Sequence, residues 1–217
     1  MKVTYGAIVQ SASGRFGGTV HSNWKGVQVV RRFAKPSNPA TTAQFEVRMA
    51  FINLTRSFLL QTGNVRAAWD SFVVGKPLIN RNAWLASNVA DMATAASAAD
   101  ITATPGDSST LGPTDFVPTG GVGQITTVFT VPPVPTGWTL TEVVAAAMPS
   151  NAFNAFRLSG AQLKWSEATD ATAPYTGATI TGLAAATYGV YGFIKWLAPD
   201  GSARYSVSVS ATPVVVT

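Results

Sequence analysis

Catalysis needs groups that take up, release or carry charge, and this chain of 217 residues holds few of them. It has one histidine, His21, and no cysteine. That excludes disulfides, thiolate metal sites, cysteine nucleophiles and any site built from several histidines. The ten carboxylates are scattered. Asp107 and Asp200 stand in turn sequences, and Glu142 sits in an alternating strand where it is expected to face water. None is grouped as an acid–base pair requires. Gly14-Arg15-Phe16-Gly17-Gly18 has the composition of a phosphate loop. It lacks both the Gly-Lys-Ser/Thr ending of a nucleotide P-loop and the Gly-x-Gly-x-x-Gly spacing of a Rossmann turn, so it reads as a tight turn or bulge. The expectation is a protein without catalysis, metal or cofactor.

The chemistry the sequence does offer is electrostatic. Arg31, Arg32 and Lys35 form a basic series, continued by Arg48 and Arg56. Residues 1–92 carry 11 Lys/Arg against 3 acids (+8) and residues 93–217 carry 4 against 7 (−3), which together give the net +5. Such a series can hold phosphates, with Trp24 and Phe33 near enough in sequence to stack on bases. It can also dock on an acidic protein subunit. Docking is the preferred reading, with a protein interface at Arg31, Arg32, Lys35, Arg48, Phe51, Phe58 and Trp69. Arginine and large aromatic residues are the usual anchors of such interfaces.

The elements that must position these residues follow from the apolar pattern. Residues 5–33 are strand-like and punctuated by glycine: Ala7-Ile8-Val9, then Thr19 to Ser22, then Val27 to Phe33, which make a small antiparallel sheet. Pro36 and Pro39 forbid helix before them. Thr41-Thr42-Ala43-Gln44 matches a capping box. Val47, Phe51, Leu54 and Phe58 then recur on one helical face, and Phe45, Met49, Ile52 and Leu59 on the next. The arc is too wide for a helix covered on one side only. Two shorter helical patterns follow, one carrying Trp69 and Phe72, the other Trp84, Leu85, Val89 and Met92. Residues 96–122 are rich in Ala, Ser, Thr, Gly and Pro and read as a linker. From residue 123 the pattern is β, with strands at Ile125–Val131, Trp138–Met148, Leu163–Trp165, Ala178–Ile180, Tyr188–Trp196 and Arg204–Val209. Pro199-Asp200-Gly201 is a hairpin turn between the last two. The expected fold is therefore an α+β N-terminal module, residues 1–95, with a small antiparallel sheet and two or three helices. A linker at 96–122 leads to an all-β immunoglobulin-like sandwich at 123–217.

Two resemblances add to this. Tyr175-Thr176-Gly177-Ala178-Thr179-Ile180-Thr181-Gly182-Leu183 and Thr187-Tyr188-Gly189-Val190-Tyr191, with Asp200-Gly201 and Ser206 to Pro213, resemble a fibronectin type III or immunoglobulin-like domain. That resemblance implies that Leu183 and Tyr188 form the corner where the tyrosine hydroxyl bonds back to the backbone. The N-terminal part carries Gly6, Ser13-Gly14, Gly17-Gly18, Arg31-Arg32, Asn38-Pro39-Ala40-Thr41-Thr42-Ala43-Gln44, Arg48, Phe51 and Ala67-Ala68-Trp69. In this it resembles a family of tailed-bacteriophage structural proteins over roughly residues 5–90. The resemblance implies a non-enzymatic virion protein, a capsid decoration or a neck or tail accessory. Its N-terminal domain would dock on other virion proteins (major capsid, neck or tail subunits), in a homo-oligomer, with the sandwich displayed outward. The alternative is a tail adaptor or fibre component whose C-terminal domain binds a host-surface glycan. A nucleic-acid-binding virion protein is the less favoured reading. No stretch approaches the roughly 18 apolar residues of a membrane span, and the N-terminus lacks the apolar run of a signal peptide. The expected location is the virion, assembled in the host cytoplasm.

Overall fold

The computed structural model describes residues 12–35, 40–61, 63–94, 97–107 and 109–217, and the chain divides into two units, Met1–Ala40 and Thr41–Thr217.

Unit 1 is a three-stranded antiparallel sheet of β1 (Gly14–Phe16), β2 (Thr19–Trp24) and β3 (Val27–Arg32), in that order. A two-residue turn joins β2 to β3. Its central positions, Lys25 and Gly26, have φ of 49° and 80°, the left-handed geometry that matches the twist of a hairpin. The described side chains of this unit are all half-buried or exposed. The expected strand at Ala7–Val9 and the double-proline turn at Pro36–Pro39 lie outside the described residues.

Unit 2 begins where Thr41 accepts a hydrogen bond from the Gln44 N–H at 3.4 Å, starting helix α1 (Thr42–Leu59). Helices α2 (Gly63–Phe72) and α3 (Asn80–Thr94) follow, each at its expected place. The strands come next: β4 (Thr114–Gly121), β5 (Gln124–Thr130), β6 (Thr139–Pro149), β7 (Ser166–Asp170), β8 (Thr179–Thr181) and β9 (Ala186–Leu197). Three short pieces end the chain, β10 (Ala203–Tyr205), β11 (Val209–Ser210) and β12 (Val214–Val216). One sheet runs β4-β5-β8. The other runs β7-β6-β9, and β10, β11 and β12 succeed one another along the free edge of β9. All pairs are antiparallel. The unit is thus a mixture of helices and antiparallel sheets, α+β in class.

Strands β6 and β9 are covered on both faces, which is why they read as long apolar runs rather than as alternating strands. Val144, Ala146 and Met148 of β6, with Tyr191 and Phe193 of β9, pack among residues of the helices. Their neighbours along the strands, Ala145, Ala147, Val190 and Ile194, pack instead with Ile125, Ile180 and Phe129 of the smaller sheet.

The helical layer is joined to the sheet by aromatics in series. Trp69 meets Trp84 edge-on at 5.5 Å, Trp84 meets Trp165 at 6.1 Å, and Trp165 lies 5.5 Å from Tyr191 of β9. Each buried indole N–H has an acceptor: Trp69 on Ala103 O, Trp84 on Leu54 O and Trp165 on Ser57 Oγ. Buried indoles need such partners. Two buried amides add directional links. Asn53 Nδ2 donates to Phe153 O and Phe156 O while its Oδ1 accepts from Leu158 N–H. Asn88 Oδ1 accepts from Thr102 N–H at 2.7 Å.

These contacts correct the expected division. The helices of residues 41–94 and the strands of residues 114–216 share one hydrophobic core, so no boundary falls between 95 and 123. The supposed linker contributes to that core: Ala98, Ile101 and Ala103 are buried, Pro105 bridges to Val207, and β4 starts at Thr114. Small residues read as linker composition, yet they are what fits where backbone passes close under a sheet. The expected strand at Leu163–Trp165 is also different. Ala161–Leu163 is a single 3-10 turn and β7 starts at Ser166, because Leu163 and Trp165 are drawn under the helices instead of along a strand.

Candidate functional site

The residues expected to form an interface fall into three groups. Arg31, Arg32 and Lys35 are exposed on unit 1. Arg48 and Phe51 lie on the outer surface of α1, where Phe51 is 50% exposed. Phe58 and Trp69 are 2% and 0% exposed and belong to the helix–sheet core, so no partner can reach them. Helical spacing alone could not separate Phe51 from Phe58, since both lie within the apolar arc; the core, with Trp84 of α3 against Phe58, covers only the side that carries Ala50, Leu54 and Phe58.

The outer side of α1 leaves Phe45, Val47, Phe51 and Leu59 exposed. A shallow groove at the start of the helix is lined by Ala43, Gln44, Val47 and Arg48. Gln44 Oε1 is buried with no hydrogen-bond partner, so the reciprocal half of the capping box is not made there.

Titratable groups do meet in one place that sequence spacing did not suggest. Glu167 of β7 accepts from the N–H groups of Asn64 at 2.8 Å and Val65 at 3.1 Å, and so caps the start of α2. Burial pushes its carboxyl above the ordinary value of 4.5, against the pull of those two hydrogen bonds. Glu142 does not face water as expected. It pairs with Lys195 across β6 and β9, and the hydrogen bond from Lys195 raises the ammonium's pKa. Both Glu167 oxygens are spent on the helix start and the Glu142 carboxylate on a cation, so the group fixes α2 and the sheet edge rather than presenting an acid and a base to a substrate.

A cavity of about 360 Å³ lies between Phe72, Lys76, Asp107, Arg204 and Tyr205. Its cations are already engaged. Lys76 Nζ sits 3.2 Å above the Phe72 ring. Arg204 reaches Asp107 at 3.1 Å and Asp200 at 3.5 Å. Hydrogen bonds from Ser109, aided by Arg204, hold the Asp107 carboxyl below its ordinary range. Among the described residues no three His, Asp or Glu side chains are placed to hold a metal ion, and no helix is long and apolar enough to cross a membrane. Of the three tryptophans in the strand-rich part that could line a sugar site, Trp165 and Trp196 are buried and Trp138 is half-buried against the cluster that holds Phe129 and Trp196.

The sequence reading also missed that the charge belongs to unit 1 alone. Residues 1–40 contain six Lys/Arg and no acid (+6), and residues 41–217 contain nine and ten (−1). The signal was available: the first carboxylate in the chain is Glu46. Compared with protein-family models, curated proteins and solved structures, the chain matches none of them.

Proposed function

We propose that this chain is a non-enzymatic structural protein of a tailed-bacteriophage particle, attached to neighbouring subunits through the outer face of α1. One observation carries the reading. After α1 has supplied Leu54 and Phe58 to the core, it still presents Phe45, Val47, Phe51 and Leu59 to solvent, Leu59 at 66%. Large apolar groups clustered on one exposed helix face mark a surface made to be covered. The neighbouring groove holds an unpartnered acceptor, Gln44 Oε1, which a docking donor would satisfy.

In the same reading residues 114–216 are an immunoglobulin-like sandwich of the fibronectin type III kind. Support comes from the pairing of a β4-β5-β8 sheet with one whose long strands run β7-β6-β9 and end in a broken last strand. It also comes from Tyr188, whose hydroxyl donates to Ala184 O four residues upstream at 3.0 Å, the geometry of a tyrosine corner.

Purified particles of a phage carrying this gene test the reading. The chain is expected among the particle proteins in stoichiometric amount, and particles assembled with Phe51→Glu/Leu59→Glu are expected to lack it. Particles complete and infective without the chain, or retaining the double variant, would overturn the proposal.

A further inference from the structure

Unit 1 gathers at one end of its sheet residues that the sequence keeps apart. The register places Arg15 of β1, Val20 of β2 and Arg31 of β3 in one row, and Phe16, Thr19 and Arg32 in the adjoining row on the other face, so that this end of the sheet carries a cation and a ring on each side. The Arg15 guanidinium lies 3.9 Å from the centre of the Phe33 ring, and its Nε–H donates to Gly17 O at 3.1 Å, which fixes its plane. Arg31, Arg32, Phe33 and Lys35 are exposed, and Phe16 is 82% exposed.

No carboxylate precedes Glu46, and the remainder of the chain is close to neutral. The field of this patch is therefore not cancelled from within unit 1, and it draws in polyanions. An acidic protein face would answer the charge alone. Phe16 and Phe33 at the same sheet end ask for something more, a flat π-surface delivered together with negative charge. Single-stranded nucleic acid supplies both, phosphates for the cations and base faces for the rings. In a duplex the bases are stacked on one another and withheld.

We infer that this end of the unit 1 sheet binds single-stranded nucleic acid, with Arg31, Arg32 and Lys35 on phosphates and Phe16 and Phe33 stacking on bases. The inference is independent of the particle reading. It departs from the sequence-based preference for an acidic subunit because Arg15 and Phe16 join Arg31 and Arg32 only through the strand register.

The test is fluorescence anisotropy of the full chain with a labelled oligothymidylate of about 30 nucleotides at about 50 mM salt. Binding is expected to weaken with salt, with a log–log slope of about −2 for three phosphate contacts. Arg31→Ser/Arg32→Ser should weaken it at least about tenfold, while Arg31→Lys/Arg32→Lys, which keeps the charge, should bind within about threefold of the parent. Phe16→Ala should cost about fivefold or more with the salt slope unchanged. The same length of duplex should bind more weakly. Absence of binding at that salt overturns the inference. So does equal affinity for duplex, indifference to Phe16→Ala, or displacement by polyglutamate as effective as by unlabelled oligothymidylate. Those last results would make the patch a docking face for an acidic protein.

Discussion

The two units divide the physical tasks of the molecule. Unit 1 holds the entire net charge, +6 over residues 1–40, and has no buried side chain among those described. Unit 2, at −1, holds every buried side chain of the hydrophobic core. A surplus of one charge weakens a compact state through self-repulsion, and a core is what offsets chain entropy. Keeping the two apart lets the charge be concentrated without loading it on the core. The difference predicts that substitutions in unit 2 act on stability and those in unit 1 act on binding.

The largest effect should come from Trp84, which is fully buried between Trp69 and Trp165 and bonded to Leu54 O. Trp84→Ala is expected to cost about 3–5 kcal/mol. Helical ellipticity and near-ultraviolet aromatic signals should be lost together during urea unfolding, because helices and sheets share one core. Two separated transitions would mean that residues 41–94 fold as their own domain, as the composition had suggested. Asn53→Ala should follow. It strands two carbonyls and the Leu158 N–H, at about 2–4 kcal/mol. An Asn53→Ala midpoint equal to that of the parent would show that water takes over those partners.

Glu167 sharpens the picture at a finer scale. Glu167→Ala removes the cap of α2 and is expected to cost about 1 kcal/mol. Its pH dependence has a definite sign. Folding raises this carboxyl above 4.5, so the folded state holds the proton to higher pH than the unfolded state. Its contribution is full below 4.5 and is lost as pH rises through the folded value. Asp107 runs the other way: held below 3.8, it contributes above that value and loses the contribution as pH falls. As pH rises above 4.5, stability of the parent should therefore decline more steeply than that of Glu167→Ala. Parallel curves in urea titrations at several pH values would show that Glu167 titrates as it does in the unfolded chain.

The local code was the legible part of this sequence. Thr41 marked the start of α1, and the strand pattern over residues 125–131 marked β5. Each of these signals lies within a few residues. What stayed hidden was long-range. Nothing in Trp69 or Trp84 says that their acceptors are Ala103 O and Leu54 O, and nothing in Glu167 says that it closes a helix a hundred residues earlier. The composition of residues 96–122 pointed the wrong way, because alanine serves a loose linker and a tight core equally well. Arg31, Arg32 and Lys35 were legible as a basic series. Arg15 and Phe16 could join them only once the strand register was known.

The smallest stability effect should come from the largest cut. Removing residues 1–40 takes away six cations and no acid, so the net charge moves from +5 to −1. It takes away no residue of the described core. The 41–217 fragment should unfold within about 0.5 kcal/mol of the same unit in the full chain, the range of changes that leave a core untouched. At neutral pH and low salt it should pass through a cation exchanger that retains the full chain, and it should not shift the anisotropy of the oligothymidylate. A fragment that binds as well as the full chain would move the nucleic-acid contact to unit 2, where Arg48 and Arg81 are the exposed cations on helices. A fragment destabilised by several kcal/mol would make unit 1 part of the core's stability, and the separation of charge from core would not hold.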